Sequence, residues 1–426
     1  MYFKFKITKM EKQKPELLAP AGNMEKLRTA CDFGADAVYL GAADFSLRVR
    51  INDFNITRIK QAVNYAHKQN KKVYVTVNIF AHNTHLKKLP DHIKKLKDTG
   101  VDGLIVSDPG VIEAIKEVWS RAEIHLSTQA NCLNWKAAQF WRNQGVTRII
   151  LGREVTLKDI KEIKQKVPDV ELEYFVHGAM CMAYSGRCFL SQYFLGRSAN
   201  LGDCVQPCRW QYGVREVRIS EESDPELAIE EDKQGSYILN SRDLCLVEYL
   251  DQLQQAGVDS FKIEGRNKSV YYLATVCGIY REAINRTFDH PGQARDKLNF
   301  FKKELEEKLV NRGYTSGFLF GGPAEQNTET SHYQSKWEFC GQVIRKPRKF
   351  ENKYLLPVKV HNCIKKGDIV EIVSPFYNVT RMEVGRFWNA ETKQEMTEAH
   401  GGGSGHVILL EADKQVEKRS VLRRKL

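Results

Sequence analysis

Cys181, Cys188, Cys204 and Cys208 place four thiols within twenty-eight residues, and nothing else in the chain concentrates so much reactive chemistry. Several soft anionic sulfurs held together need a cation between them, so a group of this kind in a reducing compartment points to a metal or an iron–sulfur cluster. Gly186 lets the backbone turn back between the first pair, and Pro207 argues against a helix between the last;. The thiols are therefore expected on loops that converge, with Arg187 and Arg209 offsetting their negative charge. Three readings stand. A four-iron–four-sulfur (4Fe–4S) cluster takes four thiolates from glycine-rich loops at irregular spacing. Structural zinc prefers paired C-x2-C or C-x4-C knuckles, and only Cys204 and Cys208 approach that form. A nucleophilic cysteine needs a base, and His177 lies four residues before Cys181;. Cys245 competes with Cys208 as fourth ligand, against the reading that it is a buried apolar cysteine at a helix start.

The remaining six cysteines are dispersed along 426 residues, too thinly for a disulfide scaffold, and are expected to be small core residues;. Lysines interrupt every apolar stretch of the amino terminus, so no signal sequence is read there and a cytoplasmic protein is expected. The formal net charge of +12 suits a polyanionic partner, with nucleic acid ahead of an anionic membrane;.

The elements that must position the thiols come from eight short runs, apolar on both faces as buried parallel strands require. They are residues 16–22, 37–41, 72–78, 103–107, 123–127, 148–152, 172–177 and 260–264, separated by stretches with helical periodicity. Three helices stop in similar phrases, Gly34-Ala-Asp36, Gly100-Val-Asp102 and Gly257-Val-Asp259, where a glycine cap leads into the next strand. Eight βα units predict an α/β fold, a (β/α)8 TIM-like barrel over residues 15–322, after an extension at 1–14. No glycine-rich dinucleotide loop follows the first strand, which disfavours an open doubly wound sheet. Residues 323–336 read as a linker. Beyond it the apolar period changes to two, predicting a small antiparallel β-barrel over 337–426.

A barrel of this type keeps its chemistry at the carboxyl ends of its strands. Those ends carry Asn78, Gln129, Arg153, His177, Lys262, Glu264 and Arg266, more polar groups than a core requires. His177, Lys262 and Glu264 are the expected catalytic side chains. Asn78, Gln129, Arg153 and Arg266 are expected to bind a small anionic co-substrate. Hydrolase machinery is missing: there is no H-E-x-x-H, and His82 and His85 are the only histidines at metal-ligand spacing. The run His400-Gly-Gly-Gly-Ser-Gly-His406 lacks an accompanying G-x-S-x-G elbow and reads as a hairpin loop;.

Glu173, Phe175, Gly178, Ala179, Met180, Cys181, Gly186, Cys188, Leu190 and Ser191 match the signature of the U32 peptidase-like family, historically called collagenase-like proteases. Family-like phrases also occur at Glu16–Asn23, Ala35–Gly41, Asn240–Leu244 and Lys262–Arg266. Within the family the chain most resembles the branch that hydroxylates the wobble uridine of tRNA to 5-hydroxyuridine. That resemblance implies a 4Fe–4S cluster on the clustered cysteines, prephenate as co-substrate and the tRNA anticodon loop as partner. Peptidase activity, or hydroxylation of ribosomal RNA or a ubiquinone precursor, is the alternative that the wider family carries.

Overall fold

Eight strands close into a ring: β1 (Glu16–Pro20), β2 (Ala37–Gly41), β3 (Lys72–Val77), β4 (Gly103–Val106), β5 (Ile124–Leu126), β6 (Arg148–Ile150), β7 (Glu171–Ala179) and, after β8 (Asp243–Cys245), β9 (Ser260–Ile263). All eight pair in parallel, and β9 closes the ring by pairing with both β7 and β1. These are the eight runs expected, and the barrel is TIM-like. The computed structural model describes residues 14–426 except 43–44, 47–52, 182, 185–186, 202, 211–238, 291, 324 and 403–405. The extension up to residue 13, Gly186 and the middle of the glycine loop after His400 lie outside the described residues.

The repeated Gly-x-Asp phrase does two jobs. Gly34, Gly100 and Gly257 each take positive φ (105°, 78° and 101°), where a side chain would be strained, and so end their helices;. Two residues on, the aspartate carboxylate accepts the second amide of a neighbouring strand: Asp36 from Leu17, Asp102 from Val73 and Asp259 from Leu172, at 2.7–2.8 Å. One short phrase thus stops a helix and fixes the start of a barrel strand.

A bulge interrupts the β7–β9 register between Phe175 and His177;. Beyond it the end of β7 leaves the ring and pairs antiparallel with β8, which in turn pairs with β10 (Tyr314–Thr315). Gly178 makes this possible, because a Cβ there would stand 2.7 Å from the Glu264 carbonyl. The expected helix start at Cys245 is instead the end of a strand, followed by a 3-10 turn over Val247–Tyr249. The segment at 323–336 is laced to the barrel: Asn240 Nδ2 donates to the carbonyls of Asn327, Thr330 and Ser331.

The carboxyl-terminal domain is antiparallel, comprising β11 (Trp337–Val343), β12 (Arg348–Phe350), β13 (Lys353–Val360), β14 (Cys363–Lys365), β15 (Ile369–Ser374), β16 (Asn378–Glu383), β17 (Phe387–Asn389), β18 (Glu395–Met396), β19 (Glu398–His400), β20 (Val407–Ala412) and β21 (Val421–Lys425). The period-two pattern expected there is carried by β11, β13, β15 and β20. Among the described residues the main ladder runs from β16 to β18 without closing. Its own core includes Cys340, Val358, Ile372, Phe387 and Leu410. Arg423, fully buried, joins this domain to the barrel's outer helices, bonding Glu371 at 2.8 Å and Glu304 and Tyr377 at 2.9 and 3.1 Å. Among the described residues no helix is long and apolar enough to cross a membrane.

Candidate functional site

Two groups of polar side chains, in a lower and an upper layer, interrupt the largely apolar strands of the barrel. In the lower layer Arg148 donates to Glu16 at 2.6 Å and to Glu173 at 3.3 Å, and Lys262 donates to Glu173 at 2.5 Å. Burial pushes the Glu173 carboxyl up, but Lys262 and Arg148 more than offset it and hold it below the usual carboxylate range;. Burial holds the Lys262 ammonium below the usual lysine range, against the pull of Glu173. Lys262 is therefore not at the solvent-facing mouth; it lies beneath it, over the Tyr39 ring at 4.4 Å.

The upper layer holds amides, hydroxyls and guanidinium groups. Asn78 Nδ2 donates to Gln129 Oε1 at 2.6 Å, and Ser127 Oγ donates to the same oxygen at 3.2 Å. The other end of that amide, Gln129 Nε2, is buried with no hydrogen-bond partner among the described residues. A buried donor left in this state is destabilising unless a ligand or water completes it. Arg266 donates to Ser46 at 3.0 Å and Thr76 at 3.4 Å, and Arg153 lies 4.1 Å over the Phe175 ring. Asn78 and Gln129 thus meet just past β3 and β5, while Arg153 and Arg266 follow the same ends of β6 and β9. Glu264 follows β9 at the same rim, where its carbonyl accepts from Tyr272 Oη at 2.8 Å.

His177 goes elsewhere. The bulge carries it out of the ring, and it packs against Tyr280 and Tyr314 at ring-centroid distances of 5.4 and 5.3 Å, and against Tyr272. Burial drives its pKa down to about 3, so the imidazole is neutral;. Cys245 pairs across from it on β8, with its thiol 3.9 Å from Tyr280 Oη and burial pushing its pKa up to about 12.

The four clustered cysteines occupy the crossover between β7 and β8, on the mouth side. Cys181 and Cys204 are exposed, while Cys188 and Cys208 are half-buried. Burial raises the Cys188 thiol first, and the charges of Cys204 and Cys181 raise it further. The Cys208 thiol is raised by burial and by Cys181, and drawn down by Arg209 and Arg312. Cys181 and Cys204 thus each lie within electrostatic reach of both Cys188 and Cys208, whereas the groups that act on the Cys245 thiol are Tyr280, Lys302 and Glu248. Pro207 opens a 3-10 turn (Pro207–Arg209), so the expected loop carries one short turn. Gln206, just before it, sits in the left-handed region at φ 60°, a strained conformation of the kind that accumulates at functional sites;. Ser191 steadies the loop, its hydroxyl 3.8 Å from Cys204 Sγ and accepting from the Val205 amide at 3.2 Å.

Arg312 anchors the start of the loop, a role that its sequence context does not announce. Its guanidinium donates to Asp243 Oδ1 at 2.7 and 3.0 Å and to the Met180 carbonyl, the residue before Cys181, at 3.3 Å. Its sequence context, Arg312-Gly-Tyr-Thr-Ser-Gly317, lies near the end of the expected barrel and shows no strand or helix periodicity. The available signal is an arginine with a glycine neighbour, opposite the family-like phrase Asn240–Leu244. Among the remaining cysteines, Cys31, Cys132, Cys277 and Cys340 are buried as expected, whereas Cys363 is half-buried and donates to Glu398 at 3.3 Å.

A TIM-like barrel with thiols gathered over a polar mouth defines the class, and comparison with known proteins defines the family. Residues 22–329 match peptidase family U32, and residues 335–423 match the peptidase family U32 C-terminal domain. The chain belongs to the U32 family. It is 37% identical over 418 residues to tRNA hydroxylation protein P1 of Bacillus subtilis (strain 168), covering 97% of this chain and 95% of that one. It is 40% identical over 405 residues to tRNA hydroxylation protein P of Escherichia coli (strain K12), covering 86% and 87%. A 23S rRNA 5-hydroxycytidine synthase of the same E. coli strain is 35% identical over 309 residues, covering 71% of this chain and 45% of that one.

Proposed function

We propose that this protein hydroxylates tRNA, converting the wobble uridine of the anticodon to 5-hydroxyuridine with prephenate as co-substrate and a 4Fe–4S cluster on Cys181, Cys188, Cys204 and Cys208. The observation that carries the reading is similarity along both domains, nearly end to end, to proteins named for tRNA hydroxylation. The donor set fits the cluster. Cys188 and Cys208 both lie within reach of Cys181 and Cys204 on irregular loops, without paired zinc knuckles, and Arg209 Nε beside Cys208 is buried with no partner among the described residues;. Bound there, a cluster supplies one-electron redox chemistry at the barrel mouth.

The chain's own groups then bind and orient. Arg153 and Arg266 offer charge to the carboxylates of the co-substrate, and Asn78 and Gln129 fix its orientation, with Gln129 Nε2 as the donor awaiting an acceptor;. Glu264 supplies a carboxylate at the rim. Lys262 and His177 hold the strand ends from beneath and behind. A cysteine-peptidase reading finds no support, because His177 is buried and neutral and, among the described residues, no hydrogen bond joins it to Cys181.

Mass spectrometry of nucleosides from the tRNA of a deletion strain tests the assignment. Loss of 5-hydroxyuridine and its derivatives is the expected result. Undiminished levels, with any paralogue also deleted, would refute it.

A further inference from the structure

Two exposed surfaces of unlike chemistry border the barrel mouth. After β3, residues 82–97 carry five lysines, at 87, 88, 94, 95 and 97, against one acid, Asp91. The helix Leu89–Lys97 buries Leu89, Ile93 and Leu96, which leaves its lysines facing outward;. Asp91 lies 3.9 Å from Lys94 and is outnumbered by Lys87, Lys88 and Lys95, beside which it also lies. Those three line a groove of about 700 Å³ opposite Phe45 and Phe54. The second surface lies on the cysteine crossover, where Phe189 and Tyr193 are 75% and 82% exposed. Tyr193 meets Phe194 edge-on at 5.2 Å, and Phe194 meets the exposed Trp210 at 5.9 Å, so the rings form one ridge with Arg187 exposed beside it. The Phe80 amide, just after β3, donates to the Asn200 carbonyl at 3.3 Å and ties the two surfaces together at the mouth.

An exposed aromatic ridge of this size on a folded surface marks a binding site. An apolar protein partner would leave the lysine groove unmatched, and a simple polyanion would leave the ridge bare. Single-stranded RNA matches both, because its phosphates seek ammonium groups and its unstacked bases seek aromatic faces. We infer that an unpaired RNA loop lies across the mouth, with its phosphates on Lys87, Lys88 and Lys95 and the bases flanking the target stacked on Phe189, Tyr193 and Trp210. This rests on the tRNA reading above and assigns the surface that presents the target base.

The test uses the full-length, iron-loaded protein and two synthetic probes, an anticodon stem–loop RNA and a blunt RNA duplex of equal length, with affinity followed across a salt series. Lys87→Ser/Lys88→Ser/Lys95→Ser should weaken both probes and flatten the log–log salt slope by about 2, at roughly 0.7 for each single-strand phosphate that is no longer neutralised. Phe189→Ala/Tyr193→Ala should weaken the stem–loop roughly 5- to 150-fold for each base stack removed while leaving the duplex and the salt slope unchanged. Wild-type stem–loop affinity in both variants would overturn the inference. So would an aromatic variant that changes only the sedimentation of the protein, which would make the ridge an interface between copies. If the variants behave as expected but a deletion strain keeps its 5-hydroxyuridine, the surface stands and the hydroxylation reading falls. If hydroxylation is established and both variants bind normally, the reverse holds.

Discussion

Lys262 Nζ stands 2.5 Å from Glu173 Oε1, across two parallel strands and inside the closed barrel. Breaking a buried ion pair by removing one member leaves the other charge uncompensated, which costs about 3–5 kcal/mol. Because Arg148 still donates to Glu173 at 3.3 Å, Lys262→Met should lose somewhat less than that in urea denaturation, and Lys262→Met/Glu173→Leu should recover part of it;. If Lys262→Met instead keeps wild-type stability and abolishes tRNA modification, Lys262 acts on the substrate and not as a support.

The neutral, buried His177 makes a prediction about pH. Its folded pKa of about 3 lies below the ordinary 6.5, so the unfolded chain takes up a proton that the folded one does not. Its contribution is complete above pH 6.5 and is lost as the pH falls toward 3, at up to about 1.4 kcal/mol per pH unit;. Thermal midpoints measured across that window should fall less steeply in His177→Phe than in the wild type. Equal slopes would place the imidazole in contact with water.

Arg312 ties Asp243 and the Met180 carbonyl together immediately before Cys181, and it also draws down the Cys208 thiol. Arg312→Lys keeps a charge but cannot reproduce the fork that reaches both partners. Purified anaerobically, this variant should hold less iron per chain and lose it faster to a chelator, with unchanged far-ultraviolet circular dichroism. Iron retention equal to the wild type would show that the loop is anchored elsewhere.

The barrel is legible in the sequence because its strands are apolar on both faces and its Gly-x-Asp phrases mark helix ends and strand starts together. The thiols are legible from residue type and spacing. What escapes depends on long-range pairing that short segments cannot announce. β8 and β10 are three and two residues long, too brief for any periodicity to register. His177 looks like a mouth residue because one bulge, invisible in sequence, turns it outward. Arg148 and Glu173 fall within the expected strand runs, but only the closed ring brings them within 3.3 Å of each other. The choice between Cys208 and Cys245 is likewise a question of three-dimensional placement. Both follow β7 in the chain, but Cys208 lies within electrostatic reach of Cys181 and Cys204 whereas Cys245 faces Tyr280.

That choice gives the most direct measurement. A deletion strain complemented with Cys208→Ser or with Cys245→Ser should be compared by quantifying 5-hydroxyuridine and its derivatives in total tRNA, alongside the iron content of each purified protein. Cys208→Ser is expected to lose both modification and iron, whereas Cys245→Ser keeps both. Full modification with Cys208→Ser and loss with Cys245→Ser would contradict the assignment of the cluster to the four thiols at the barrel mouth.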